Sequence, residues 1–211
     1  MSALARQKPK WRRRAESRPD EILDAALDIF ERDGFDAARV EDIAKAASLS
    51  KAGVYLYFET KDAILRGLIE REVAPVARNL RAVADAGIED PVGALRMIAA
   101  ALTALVNDRR KFAVPRIVLS VAGRYPDLAV YYRENVVDQG LGAAKALIDA
   151  GVAKGVFRPC DPDVAARMLL GPIFIYGFYT HLLCGDPGSL STSERAEAQI
   201  DILLSGLMAR A

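Results

Sequence analysis

The stretch that decides the fold is Val40-Glu41-Asp42-Ile43-Ala44-Lys45-Ala46-Ala47-Ser48-Leu49-Ser50-Lys51-Ala52-Gly53-Val54-Tyr55-Leu56-Tyr57-Phe58-Glu59-Thr60-Lys61. Val40, Ile43, Ala44 and Ala47 recur at helical spacing, and Ser48-Leu49-Ser50 then breaks the pattern with residues that favour turns and N-caps. Two short helices joined by a tight turn follow. With Ser50 as the cap of the second, Leu49, Val54 and Phe58 face inward. Lys51, Ala52, Gly53, Tyr55 and Tyr57 are left facing out. Small outward residues let a helix sink close against another surface, and a cation with two phenols suits phosphate oxygens and base edges. This is what a helix-turn-helix needs if its second helix is to enter the major groove of DNA.

The run Ser50-Lys51-Ala52-Gly53-Val54-Tyr55-Leu56-Tyr57-Phe58, followed by Thr60-Lys61-Asp62-Ala63-Ile64-Leu65, resembles the N-terminal signature of the tetracycline-repressor (TetR) family of transcriptional regulators. The match covers about residues 20 to 66. Arg124-Tyr125-Pro126-Asp127-Leu128 and Gly155-Val156-Phe157 resemble the AefR-like subgroup. Two positions depart from the pattern: Arg39 stands where the family often has a capping Ser or Thr, and Ser48 where it often has Gly. The resemblance implies a ligand-responsive repressor that binds a palindromic double-stranded DNA operator as a homodimer and answers to a small apolar or aromatic effector. The candidate DNA-contacting set is Arg12, Arg13, Arg14, Val40, Ser50, Lys51, Ala52, Gly53, Tyr55, Leu56, Tyr57 and Lys61.

The expected fold class is all-α. A basic arm over residues 1–18, expected to be disordered in isolation, precedes a three-helix helix-turn-helix domain over 19–66. A long helix then leads into a ligand-binding and dimerisation domain over 67–211. The arm holds seven cations against Glu16, a net +6, which leaves −5 for the rest of a chain whose total is +1. A polyanion is thus met at one end only. Helix one is expected from Pro19, with Ile22, Ala25, Ala26, Ile29 and Phe30 on its apolar face, ending near Gly34. Thr60 caps a helix in which Pro75 removes a backbone bond and bends the axis.

From Pro91 onward, helices are expected at about 91–108, 113–123 and 127–153, then Val164 to Cys184, and a last one after the capping box Ser191-Thr192-Ser193-Glu194. Val164 to Cys184 is apolar nearly all round, but Pro172, Gly177, Thr180 and His181 interrupt it, which argues against a membrane span. A soluble helix of this kind must be covered on two sides, the second by another copy of the chain. Phe178, Ile200, Leu203 and Leu207 are the candidate dimerisation residues, and Tyr132, Phe174 and Phe178 the candidate ligand contacts.

Enzyme chemistry is disfavoured by arithmetic. One His, His181, and two cysteines 24 positions apart, Cys160 and Cys184, leave no paired metal ligands. No cofactor or metal is expected, and His181 reads as a packing residue. With no signal-like apolar N-terminus and no disulfide framework, a cytoplasmic location is expected. The competing reading is a helical protein-interaction module that does not bind DNA.

Overall fold

The computed structural model describes residues 10–185 and 188–209, with the backbone alone over 10–16. The chain forms α1 (Lys10–Asp33), α2 (Val40–Ala46), α3 (Lys51–Tyr55), α4 (Lys61–Leu68), a π-helical turn (Ile69–Val73), α5 (Ala74–Ala86), α6 (Pro91–Asn107), α7 (Arg109–Val121), α8 (Pro126–Tyr132), a second π-helical turn (Arg133–Val137), α9 (Asp138–Ala153), α10 (Pro162–His181) and α11 (Thr192–Leu207). Among the described residues there is no strand, only an isolated bridge between Phe157 and Met208. Two compact units meet in sequence between Leu68 and Ile69.

In the first unit, α1 lays Ile22, Leu23, Ala26, Leu27 and Phe30 against α2 and α4. Phe30 meets Phe35 edge-on at 5.1 Å, and Gly34, at φ +80°, turns the chain between them. Helix α1 begins at Lys10 rather than at Pro19, and Pro19 lies inside it, so residues 10–18 of the arm expected to be disordered in isolation are helical here. Residues 1–9 of that expected arm lie outside the described residues, as do the side chains of Arg12, Arg13 and Arg14.

Helix α2 closes in a left-handed turn. The Leu49 amide donates to the Ala44 carbonyl at 2.8 Å and the Ser48 amide to Lys45 at 3.1 Å, with Ser48 at φ +54°. That is the Schellman arrangement, and a Ser occupies the position glycine fits without strain. At the other end of α2, Arg39 supplies no side-chain cap. Glu41 and Asp42 in the first turn offset this through the helix dipole.

The second unit is built on a core that includes Leu95, Ile98, Leu102, Phe112, Ala144, Leu147 and Phe157. Helices α5, α6, α9 and α10 pack on one another around it, and α11 lies along α6. Asp90, Asp108 and Asp161 cap α6, α7 and α10, and Ser191 with Glu194 forms the reciprocal capping box of α11. Gly151 is required where α9 passes the ring of Phe157, since a Cβ there would stand 2.1 Å from Phe157 Cδ2.

Pro75 sits in the first turn of α5, directly after the π-helical turn. One residue is accommodated there by widening the ladder, so the missing proline amide falls where helix hydrogen bonding is already re-phased. The second π turn divides what the sequence pattern suggests is a single helix over 127–153.

Candidate nucleic-acid interface and internal cavity

Helix α3 is five residues long and held at its start by Ser50, whose Oγ accepts from the Gly53 amide at 3.0 Å. Val54 is fully buried and fixes the helix's inner face, with Leu49 and Phe58 half-buried beside it. Ser50, Lys51, Ala52, Tyr55, Leu56 and Tyr57 are exposed, Leu56 by 84%. Gly53 is intermediate, and a Cβ built on it would meet Ser50 Oγ at 3.4 Å and Leu49 Cβ and Cδ2 at 3.6 and 3.7 Å, all ordinary contacts. The outer surface of α3 is therefore shallow, with the Tyr55 and Tyr57 rings exposed at and just past its end.

Two members of the expected DNA-contacting set have other positions. Val40 is buried, 8% exposed, at the first position of α2. The Lys61 ammonium donates to the carbonyls of Phe35, Asp36 and Ala38 at 2.6, 3.0 and 3.1 Å and stands 4.7 Å from the Phe35 ring centre. An ammonium has three protons to donate, so Lys61 ties α4 to the loop after α1.

Lys51 carries a partner that spacing does not reveal. Its Nζ donates to Glu41 Oε1 at 2.6 Å and lies 5.8 Å from the Tyr55 ring centre. The hydrogen bond holds the Glu41 carboxyl below its usual range and raises Lys51 above its own.

In the second unit a cavity of about 390 Å³ opens between helices, and its lining includes Tyr132, Phe174 and Phe178. Sequence reasoning missed Val73, Leu102, Leu141 and Arg167, because their convergence depends on which helices meet. Both π turns contribute, through Val73 and through Val136 and Val137, and re-aimed side chains at functional sites are a known use of such turns. Glu70 in the first accepts from the Tyr131 hydroxyl at 2.6 Å. His181 is a packing residue: its Nε2 lies 3.0 Å from the Val106 carbonyl and its ring 5.6 Å from that of Phe112.

The residues expected at the dimer interface turn inward. Ile200, Leu203 and Leu207 are 3%, 9% and 4% exposed and belong to the protomer's own core, while Phe178 packs on Phe112 at 5.1 Å beside the cavity. The exposed apolar residues of α10 are instead Val164, Met168, Ile175 and Tyr179, followed just past its end by Leu182 and Leu183, with Ile202 on α11. At 100° per residue Val164, Met168, Ile175 and Tyr179 fall within about 60° of one helix face.

Residues 22–68 match the model of the bacterial regulatory proteins of the tetR family, and residues 93–205 that of the C-terminal domain of AefR-like transcriptional repressors. The chain is 30% identical, over 85% of its length and 86% of the relative's, to the uncharacterized HTH-type transcriptional regulator YdeS of Bacillus subtilis. It is 26% identical to the HTH-type transcriptional repressor NicS of Pseudomonas putida, over 78% of this chain and 77% of that one. The fold is shared with SmeT in its triclosan complex, at a TM-score of 0.78 and 21% identity over 92% and 93% of the two chains. These matches favour DNA binding over the protein-interaction alternative, and regulators of this kind are not enzymes. The chain belongs to the TetR family of bacterial transcriptional regulators and carries an AefR-like C-terminal domain.

Proposed function

We propose that this regulator is a repressor that binds a palindromic operator as a homodimer, with α3 in the major groove, and releases it when a small apolar or aromatic molecule enters the cavity of the second unit. The observation that carries the reading is the exposed face of α3, where Lys51, Ala52, Gly53, Tyr55 and Tyr57 surround a helix anchored from behind by Val54. Ser50 and Leu56 flank that face at the two ends. Arg12, Arg13 and Arg14 supply phosphate or minor-groove contacts beside it. Among the described residues no helix is long and apolar enough to cross a membrane, and work on chromosomal DNA puts the protein in the cytoplasm.

Two half-sites one DNA turn apart need two α3 helices held together. The apolar stripe on α10, together with the exposed Ile202 on α11, is the surface assigned to that pairing, in place of Ile200, Leu203 and Leu207. Family regulators work as dimers on operators and respond to small molecules, and the triclosan complex of SmeT is one example of such a fold holding a ligand. The test is a salt-dependent gel-shift series on the DNA flanking the coding region. Specific retention of a palindromic fragment is expected. Deleting residues 1–18 should flatten the slope of log K against log salt by about 0.9 for each phosphate that the arm neutralises. Equal affinity for palindromic and scrambled fragments would remove the operator from the reading.

A further inference from the structure

We infer that the cavity selects an uncharged, largely apolar ligand carrying one hydrogen-bonding group, and that the Tyr132 hydroxyl is what meets that group. This rests on the proposed role of the cavity as the effector site and narrows the chemistry it accepts.

Of the residues lining the cavity, only Tyr132 and Arg167 have polar side-chain atoms; the others are aliphatic, Phe, Pro or Gly. Tyr132 is 7% exposed, and among the described residues its hydroxyl has no hydrogen-bond partner. Its sequence neighbour makes the contrast: the Tyr131 hydroxyl donates to Glu70. A phenol on an otherwise apolar cavity wall keeps its donor and its acceptor for whatever fills the cavity, and a guest's polar group is the partner it can take. Burial raises the Tyr132 hydroxyl's affinity for its proton, so it stays neutral and able both to donate and to accept.

Arg167 argues against an anionic guest. Its Nε and Nη2 donate to the two carboxylate oxygens of Asp163, one turn earlier on α10, at 2.8 and 3.2 Å. Asp138 adds a second carboxylate to its surroundings. With its fork filled, the one cation on the lining is matched, and a carboxylate entering the cavity meets no uncompensated positive charge. Phe174 and Phe178 offer ring surfaces to an aromatic guest.

Fluorescence titration of the full-length protein with naphthalene, 1-naphthol and 1-naphthoate at neutral pH tests this. The expected order is 1-naphthol about three- to tenfold tighter than naphthalene, the size of one hydrogen bond, with 1-naphthoate about a hundredfold weaker or undetectable. Tyr132→Phe should bind naphthalene as the wild type does and lose the advantage of the naphthol. Preferential binding of the naphthoate, or a naphthol advantage that survives in Tyr132→Phe, overturns the inference while leaving the cavity as a ligand site. If none of the three binds, or if Leu141→Trp in the cavity wall leaves all three affinities unchanged, the effector-site reading itself fails.

Discussion

The Lys51 ammonium lies 2.6 Å from Glu41 Oε1, so the first residue of α3 is paired with the first turn of α2, ten positions away. Both side chains are more than half exposed, which makes this a weak surface bridge in stability terms. Its consequence is for binding: any base or phosphate that takes up Lys51 must displace Glu41 or share the cation with it. Lys51→Ala should reduce operator affinity about five- to hundredfold if Lys51 reads a base. Glu41→Gln should raise it about two- to fivefold, since the competitor is gone. The competition is complete at neutral pH, because the lowered carboxyl loses its charge only as pH falls below the ordinary carboxylate range. Gel shifts on the two variants check both directions; equal affinities in all three proteins would show that Lys51 does not touch DNA.

The three carbonyls held by Lys61 give that residue a structural role that can be separated from DNA contact. Lys61→Met keeps the stem against Phe35 and removes the donors. Stability measured by urea unfolding should fall by about 1 to 3 kcal/mol. Operator affinity of the folded fraction should stay within about twofold. A large affinity loss in a protein of unchanged stability would restore Lys61 to the DNA-contacting set.

Ser48 and Gly53 form a matched pair of substitutions in the same motif. Ser48 holds a left-handed backbone at φ +54°, so Ser48→Gly should stabilise the protein by about 1 kcal/mol and leave DNA binding alone. Gly53 is in an ordinary helical position with room for a methyl group, so Gly53→Ala should be neutral or stabilising by up to about 1 kcal/mol. Its cost should appear in operator affinity, through the methyl group that separates α3 from the groove floor. Thermal melts paired with gel shifts distinguish the two. Undiminished binding by Gly53→Ala would mean that α3 does not sit as close as proposed.

The interface assignment separates on two other variants. Ile175 is 69% exposed on the α10 stripe, and Leu203 is 9% exposed in the core. Ile175→Glu should leave folding within about 0.5 kcal/mol and dissociate the dimer, lowering operator affinity with it. Leu203→Glu should instead cost about 3 kcal/mol or more of stability, by burying a carboxylate among aliphatic side chains. Sedimentation velocity with a urea melt reads both quantities. A dimer that persists in Ile175→Glu would move the interface off this stripe.

What the sequence alone determined about this protein is the part encoded by near neighbours along the chain. Ser50 capping α3, the inward placing of Val54, the turn at Ser48 and the capping box at Ser191 each depend on residues within about five positions, where helix geometry dictates who meets whom. The helix-turn-helix and the all-α class follow from those signals, and so does the family resemblance. The tertiary structure alone decided which helical faces are covered. Helix α10 is apolar nearly all round, so periodicity could not tell its core face, with Ala166, Leu169 and Ile173, from the outer stripe of Val164, Met168 and Ile175. The contacts of Leu203 are set by the docking of α11 along α6. The same holds for Lys61, whose three carbonyls lie 23 to 26 residues away, and for the convergence of Tyr132, Arg167 and Phe174 on one cavity. The π turn at Arg133–Val137 has no proline or glycine to announce it, because the extra residue in the ladder is accommodated by packing around it and not by a local conformational preference.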